Sequence, residues 1–377
     1  MKAYKFRIYP SKAQEREMKH HLWLSKELWN EMLASVKKRY EAEKKFLPKQ
    51  ELREIVKRKG LYSQVAQELV DRLQHALKRK VEMKKKGKKC GFPRFKSFDR
   101  MKSLVYPQFG FSLGRKLKVT PFGELAIKKH REINGKIKTL TIKREPSGKW
   151  FAIFTAEEPK PEPKQNDGPA VGMDLGLVNF AVLSDGTKIK NPHHLKKWED
   201  RLAFQQRRLS RKTKGSKNRQ KARIKVARLH EKVANTRRDF LHKLSTKLVS
   251  TYSFIAAEKL NSQDMAMNGH SKNINDAAWG MFAKMLCYKA EGAGSRVVFV
   301  EPKNTSKVCS RCGEVVEKTL WDRWHICPAC GLSIDRDLNA AINILKRATL
   351  GHSESNACGD GAMAPSQKQE AHPLQGW

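Results

Sequence analysis

The sequence predicts a multidomain α+β protein, and three observations carry that prediction. The chain opens on an alternating strand that gives way to helical periodicity. Residues 136–155 hold a strand–turn–strand signal. Beyond residue 168, short apolar runs are interspersed with long amphipathic helices. At 377 residues the chain is long enough for two or three domains, each with its own core.

Taken in order, Tyr4, Phe6 and Ile8 fall on one face of the first strand, and Lys5, Arg7 and Tyr9 on the other. Pro10 ends it, and Ser11 with Gln14 forms a capping-box signature for a helix running to about Lys45. A second helix is expected from Ser63 to Lys86, where Val65, Leu69, Leu73, Leu77 and Val81 recur at four-residue spacing. Strands are expected at 136–142 and 149–155, around Pro146, Ser147 and Gly148. Residues 157–167 are Pro-rich and polar, and the domain boundary is placed there. Beyond it come apolar strands at 170–175 and 179–183, then a basic helical hairpin turning at 212–218. Its second arm carries Val226, Leu229, Val233, Phe240 and Leu244, a stripe for core packing. A strand near 254–257, a helix near 276–292, a strand at 296–300 and a final helix from about Leu338 complete the pattern. From Gly351 onward the composition is Gly, Ser, Ala and Gln rich, which reads as a disordered tail.

Seventy-eight Lys and Arg against 38 Asp and Glu leave a formal charge of +40. A compact body with that surplus repels itself unless a polyanion neutralises it, and a long nucleic acid is the natural one. No run is long or apolar enough to span a bilayer, so a membrane partner is not expected. The amino terminus lacks a hydrophobic signal core, which points to the cytoplasm. The cations are concentrated. Residues 78–102 hold twelve Lys or Arg against Glu82 and Asp99, with Phe92, Arg94, Phe95 and Lys96 interleaving aromatics and charge. Residues 196–238 hold 17 against Glu199, Asp200 and Glu231. Arg94, Lys96, Arg207, Arg208, Arg211, Arg219 and Arg223 are therefore candidate backbone contacts.

Cys309 and Cys312, then Cys327 and Cys330, form two CxxC pairs separated by fourteen residues. Two such knuckles present four thiolates tetrahedrally to one structural Zn²⁺ and leave no open coordination position for catalysis. His325 lies nearby and reads as a ribbon surface residue. Cys90, Cys287 and Cys358 stand alone and read as inert thiols.

Three carboxylates form a second constellation. Asp174 interrupts an apolar strand, Glu258 closes another, and Asp337 immediately precedes the last helix. Burying a carboxylate is costly unless a cation compensates, and paired Mg²⁺ ions would both compensate it and activate water against a phosphodiester. Neighbouring Asp335 is read as pairing with Arg336 or facing solvent.

Taken together, these motifs resemble the TnpB family of insertion-sequence proteins, which is related to type V CRISPR effectors. The resemblance rests on Asp174-Leu-Gly, Ala257-Glu-Lys-Leu, Thr305-Ser-Lys-x-Cys-Ser-x-Cys-Gly, Cys327-Pro-x-Cys-Gly, Asp335-Arg-Asp-x-Asn-Ala-Ala-x-Asn-Ile and Asn356-Ala-Cys-Gly-Asp. The Tyr9-Pro10 strand end and the Phe92-Pro-Arg-Phe-Lys segment also match, so it covers essentially the whole chain.

The resemblance implies an RNA-guided DNA endonuclease that cuts double-stranded DNA beside a short transposon-adjacent motif. It implies a β-barrel wedge domain (1–10 and 91–160) with an inserted helical recognition domain (11–90). An RNase H-like (RuvC) nuclease domain (168–304 and 331–350) would follow, with an inserted zinc ribbon (305–330) and the tail 351–377. Asp174, Glu258 and Asp337 would be catalytic and hold two Mg²⁺; Cys309, Cys312, Cys327 and Cys330 would hold one Zn²⁺. Guide RNA and double-stranded target DNA would be the partners of a cytoplasmic, nucleoid-associated monomer. Gln67 and Arg72 are candidate readers of the adjacent motif, since amide and guanidinium groups suit base edges. The competing readings are a strand-transferring transposase and a catalytically silent repressor.

Overall fold

The computed structural model describes residues 1–57, 59–159, 162, 165–260, 271–319, 321–350 and 356–357. It divides into two compact units, Met1–Pro159 and Lys160–Trp377, a division that falls within the Pro-rich segment.

In the first unit, strand β1 (Lys2–Tyr9) buries Tyr4, Phe6 and Ile8 and leaves Lys5 outward, as the alternation requires. Helix α1 (Lys12–Glu43) opens on the capping box: Ser11 Oγ accepts from Gln14 N, and Gln14 Oε1 accepts from Ser11 N. A short α2 (Lys49–Val56) and α3 (Ser63–Lys85) follow. The α3 side chains Val65, Leu69, Leu73 and Leu77 are buried at their four-residue spacing.

The remaining chain of this unit adds β2 (Ser103–Tyr106), β3 (Phe111–Leu113), β4 (Leu117–Val119), β5 (Gly123–Lys128), β6 (Lys136–Arg144) and β7 (Trp150–Glu157). With β1 they form one antiparallel sheet in the order β2-β6-β7-β1-β5-β4-β3. The sheet curls until Tyr106 of β2 donates its hydroxyl to the Thr120 carbonyl just past β4, at 2.8 Å, so it is nearly closed. Helices and sheet share one hydrophobic core.

The second unit is built on a six-stranded sheet. Its strands are β8 (Ala170–Leu175), β9 (Asn179–Leu183), β10 (Lys188–Lys190), β11 (Phe254–Glu258), β12 (Arg296–Val300) and β15 (Asn356–Ala357), in the order β10-β9-β8-β11-β12-β15. The β8–β11 and β11–β12 pairs are parallel; β8–β9, β9–β10 and β12–β15 are antiparallel. The helices are α4 (Glu199–Ser210), α5 (Lys217–Thr251), α6 (Ser271–Ala277), α7 (Trp279–Ala293) and α8 (Arg336–Thr349). Asn356–Ala357 thus belongs to the sheet, which corrects the reading of these tail residues as disordered; the rest of 351–377 lies outside the described residues.

The period-2 pleat sorts the sheet's residues by face. Val171, Met173, Ile255, Ala257 and Val297 pack with Leu241, Leu248, Phe282 and Leu286 of α5 and α7. Ala256, Val298 and Val300 cluster instead with Ile344 of α8. Gly172 lies directly beneath α8: a Cβ there would meet the Ala341 carbonyl at 2.0 Å and the Leu345 nitrogen at 2.8 Å. Only glycine admits a helix backbone this close.

Candidate functional site

The close approach at Gly172 decides where the acids fall. Gly172 pairs with Ala256 in the β8–β11 register. Two residues further along each strand, on the face that α8 covers, come Asp174 and Glu258. The first turn of α8 brings Asp337 to the same region. Three residues distant in sequence are therefore electrostatically coupled.

Burial, then the Glu258 carboxylate, then that of Asp337, raise the Asp174 carboxyl to about 8. Burial raises Glu258 as well, opposed by a hydrogen bond from Thr305 and by the charge of Arg347. Burial and Asp335 raise Asp337, opposed by Arg323, Arg336 and Lys188. A donor set that holds protons this tightly fits a divalent cation, whose charge would replace the missing compensation. The acids are coupled without being tightly gathered. Among the described residues, only the cysteine group has three or more candidate ligand atoms within 4.8 Å of one another.

Asp335 plays a different part. Its Oδ1 caps α8 by accepting from Asp337 N at 2.9 Å and Leu338 N at 3.3 Å, and its Oδ2 accepts from Lys188 Nζ at 2.6 Å. The expected pairing with Arg336 is thereby corrected. The Arg336 guanidinium donates to the carbonyls of Thr319 and Asp322 instead.

The four cysteines converge. Cys309 and Cys330 sulfurs lie 3.6 Å apart, and Cys312 and Cys327 sulfurs 3.5 Å apart. Tetrahedral zinc with Zn–S of about 2.3 Å needs sulfurs roughly 3.8 Å apart, so the set fits that metal. The two knuckles repeat one backbone pattern. Cys309 N donates to Glu314 O and Gly313 N to Cys309 O; Cys327 N donates to Leu332 O and Gly331 N to Cys327 O. Gly313 and Gly331 take φ of 82° and 70°, which the turn requires. Burial opposes ionisation of Cys309, but amide donors from Cys312 and Arg311, with His325 and Cys330, draw its thiol down to about 5.

His325 is fully buried beside Lys318 rather than on the ribbon surface. It sits on strand β13 (Trp324–Ile326), paired with β14 (Ser333–Asp335), and alternation turns it inward while Trp324 and Ile326 face out. Of the isolated cysteines, Cys90 is an exposed thiol. Cys287 is disulfide-bonded, which corrects its reading as a lone thiol, and Cys358 lies outside the described residues.

The candidate nucleic-acid residues separate by burial. Gln67, Arg94, Arg207, Arg208, Arg211 and Arg223 are exposed. Lys96 is half-buried, its ammonium 3.8 Å above the Trp29 ring, while its backbone pairs with Asn30. Arg72 is only 9% exposed, because its position on α3 falls on the face of Leu69 and Leu73; this corrects its reading as a base-edge contact. Arg219 also serves the fold: its guanidinium donates to the carbonyls of Leu209 and Lys212 and closes the α4–α5 turn.

Sequence reasoning missed Lys188, Thr305, Asn339 and Asn343, all tied to the two sites. The two asparagines carried a signal: buried polar residues spaced i, i+4 among Ala340, Ala341 and Ile344. Lys188 carried none, since β10 is a three-residue edge strand.

Three family models match the chain. "Probable transposase" matches residues 153–269, "Cas12f1-like, TNB domain" residues 279–344, and "Helix-turn-helix domain" residues 1–45. Over that last span the chain forms β1 and the single long helix α1.

A "Putative RNA-guided DNA endonuclease" of Streptomyces pristinaespiralis is 41% identical over 226 residues, covering 59% of this chain and 55% of that protein. "Putative RNA-guided DNA endonuclease InsQ" of Escherichia coli (strain K12) is 30% identical over 390 residues, covering 96% of this chain and 94% of that protein. A solved Cas12f1 in complex with sgRNA and target DNA shares the fold at a TM-score of 0.56 and 15% identity, covering 89% of this chain and 83% of that one. With a relative matched almost end to end and the transposase model lying across the sheet that carries Asp174 and Glu258, the chain belongs to the TnpB family.

Proposed function

We propose that the protein is an RNA-guided DNA endonuclease that cuts double-stranded DNA beside a short adjacent motif, through a metal site formed by Asp174, Glu258 and Asp337. The observation that carries the proposal is the coupling of these acids. Burial raises the proton affinity of three carboxylates from three separate elements, and Glu258 and Asp337 raise that of Asp174 further, in a chain of charge +40. Purely structural carboxylates are normally paired with cations or backbone donors, as Asp335 is. The strand order, three antiparallel strands followed by two parallel ones, supports an RNase H-like reading of this unit. The names carried by the relatives support the guided activity.

Asp174, Glu258 and Asp337 would hold Mg²⁺, which when bound supplies an activated water and charge neutralisation at the leaving oxygen. The protein's own part is positional. Gly172 sets α8 on the sheet, Asp335 fixes the first turn of α8, and Lys188 holds Asp335. The four-cysteine ribbon would hold Zn²⁺ as a structural ion. The nearly closed sheet is read as the wedge domain and α1–α3 as the recognition helices. Exposed Arg94, Arg207, Arg208, Arg211 and Arg223, with Lys96, would contact guide RNA and heteroduplex backbone, and Gln67 the adjacent motif. The cytoplasm is the proposed compartment; no helix among the described residues is long and apolar enough to cross a membrane.

The test is to purify the protein with its co-expressed RNA, sequence that RNA, and supply matching duplex DNA with Mg²⁺. Guide-dependent double-strand cleavage is expected, together with a loss of at least about 100-fold in Asp174→Ala at unchanged RNA binding. Undiminished cutting by that variant would sink the site. A second reading, strand transfer, follows from the "Probable transposase" description of residues 153–269, and joined rather than cut products would favour it.

A further inference from the structure

We infer that Thr305 is a positioning residue for Glu258, and that helix α8 holds it in place through Asn343. The inference deepens the proposed function and rests on that reading of Glu258.

Thr305 is 4% exposed and Glu258 8%. The Thr305 hydroxyl lies 2.5 Å from Glu258 Oε1 and 3.2 Å from the Pro302 carbonyl. It has one proton to give, and the nearer, charged acceptor takes it. No other side-chain hydrogen bond to Glu258 is found among the described residues. One carboxylate oxygen is therefore fixed by Thr305 and the other is left for a ligand.

Thr305 is itself held from α8. Asn343 Nδ2 donates to the Thr305 carbonyl at 2.9 Å and to the Val308 carbonyl at 2.7 Å. One turn earlier, Asn339 donates to Val308 O at 2.8 Å and accepts from Ser310 N at 2.9 Å. One turn later, Lys346 donates to Ser310 O at 2.6 Å, and Arg347 donates to the carbonyls of Glu301 and Lys303. The 301–310 segment, which ends on Cys309 and Ser310 of the first knuckle, is thus gripped along one face of α8. That helix also carries Asp337 in its first turn. Two of the three proposed metal carboxylates take their positions from one helix, Asp337 directly and Glu258 through Thr305.

Partners that orient a metal ligand typically matter about 10- to 100-fold in metal affinity or activity. The experiment compares the guide-RNA-loaded protein with Thr305→Val, which keeps the shape and removes the donor, and with Thr305→Ser, which keeps the donor. Each is titrated with Mg²⁺, measuring cleavage rate, midpoint, zinc content and guide-RNA retention. Thr305→Val is expected to need about tenfold more Mg²⁺ and to recover partly at saturation, with parental zinc and RNA. Thr305→Ser is expected to stay within about threefold of the parent. A parental midpoint in Thr305→Val, an equal defect in Thr305→Ser, or loss of zinc or RNA in Thr305→Val would each overturn the inference. Glu258→Gln is run alongside. Parental cleavage there would overturn the proposed site itself, whereas its loss beside a normal Thr305→Val would remove only the role of Thr305.

Discussion

The ribbon and the carboxylate cluster are two candidate ligand sets in one compact unit, built in opposite ways. The four sulfurs come from two short turns separated by fourteen residues, and the backbone of each turn aims its own thiols. Their sulfurs already lie at 3.5 and 3.6 Å across the pairs, close to the spacing a tetrahedral ion imposes. The three acids come from residues 174, 258 and 337, are brought together by a sheet register and a helix crossing, and repel one another. On the proposed function, the difference separates a site shaped to close around an ion from one kept open for an ion and a substrate. A closed site stores its energy in folding; an open one keeps its charge uncompensated until it is filled.

That contrast breaks most readily at the ribbon. Four-thiolate zinc contributes directly to folding, and the knuckle is tied through Ser310 and Val308 to α8. Cys309→Ser is expected to lower the melting temperature by on the order of 10 °C and to bring zinc well below one per chain. Elemental analysis and thermal denaturation of the RNA-free protein measure both. Unchanged zinc and stability would mean that the four sulfurs are not a structural centre.

The same contrast explains what was legible in the sequence. The CxxC pairs are local, so spacing alone assigned Cys309, Cys312, Cys327 and Cys330 to one site. The capping box at Ser11 and the four-residue spacing in α3 were equally local and read correctly. The acids were suspected because Asp174 and Glu258 interrupt apolar strands, yet their proximity depends on register and on Gly172, which no single window reveals; the family resemblance supplied that link. Strands β2 to β5 went unread because β3 and β4 are three residues long and owe their pairing to partners across the sheet. Arg72 shows the converse: it has the composition of a nucleic-acid contact but lies on the buried face of its helix, while Arg219 also ties a turn.

An open carboxylate site should also show its strain in stability against pH. An unfolded Asp titrates near about 3.9, whereas burial with Glu258 and Asp337 raises Asp174 to about 8 in the folded protein. Between those values the folded state binds more protons than the unfolded state. Its stability, fully present below the lower value, is therefore lost as pH rises through the upper one. With metal chelated, the parent's melting temperature is expected to fall from pH 5 to pH 9 by roughly 5 °C more than that of Asp174→Asn. Mg²⁺ should restore the parent most strongly at the alkaline end, where the carboxylates are ionised. Scans in chelator and in Mg²⁺ make the comparison. Parallel pH profiles for parent and variant would show that Asp174 is not under electrostatic strain.

The smallest expected effect draws the border between the open site and its frame. Asp335 and Asp337 are two residues apart, and composition alone does not say which belongs to the cation site. Asp335 already spends both oxygens, one on the first turn of α8 and one on Lys188, and its carboxyl is lowered rather than raised. Burial is the largest influence on it and opposes the shift; the bond from Lys188 and the two backbone donors more than offset that. Asp337 keeps a raised carboxyl despite three cations nearby. Asp335→Asn preserves one capping oxygen and removes the charge that Lys188 neutralises, so it should cost about 1 kcal/mol of stability. Cleavage should fall by less than about tenfold, while Asp337→Asn at unchanged melting temperature should cost at least about 100-fold. A greater catalytic loss in Asp335→Asn than in Asp337→Asn, with both proteins equally stable, would move the border and make Asp335 the metal-facing carboxylate.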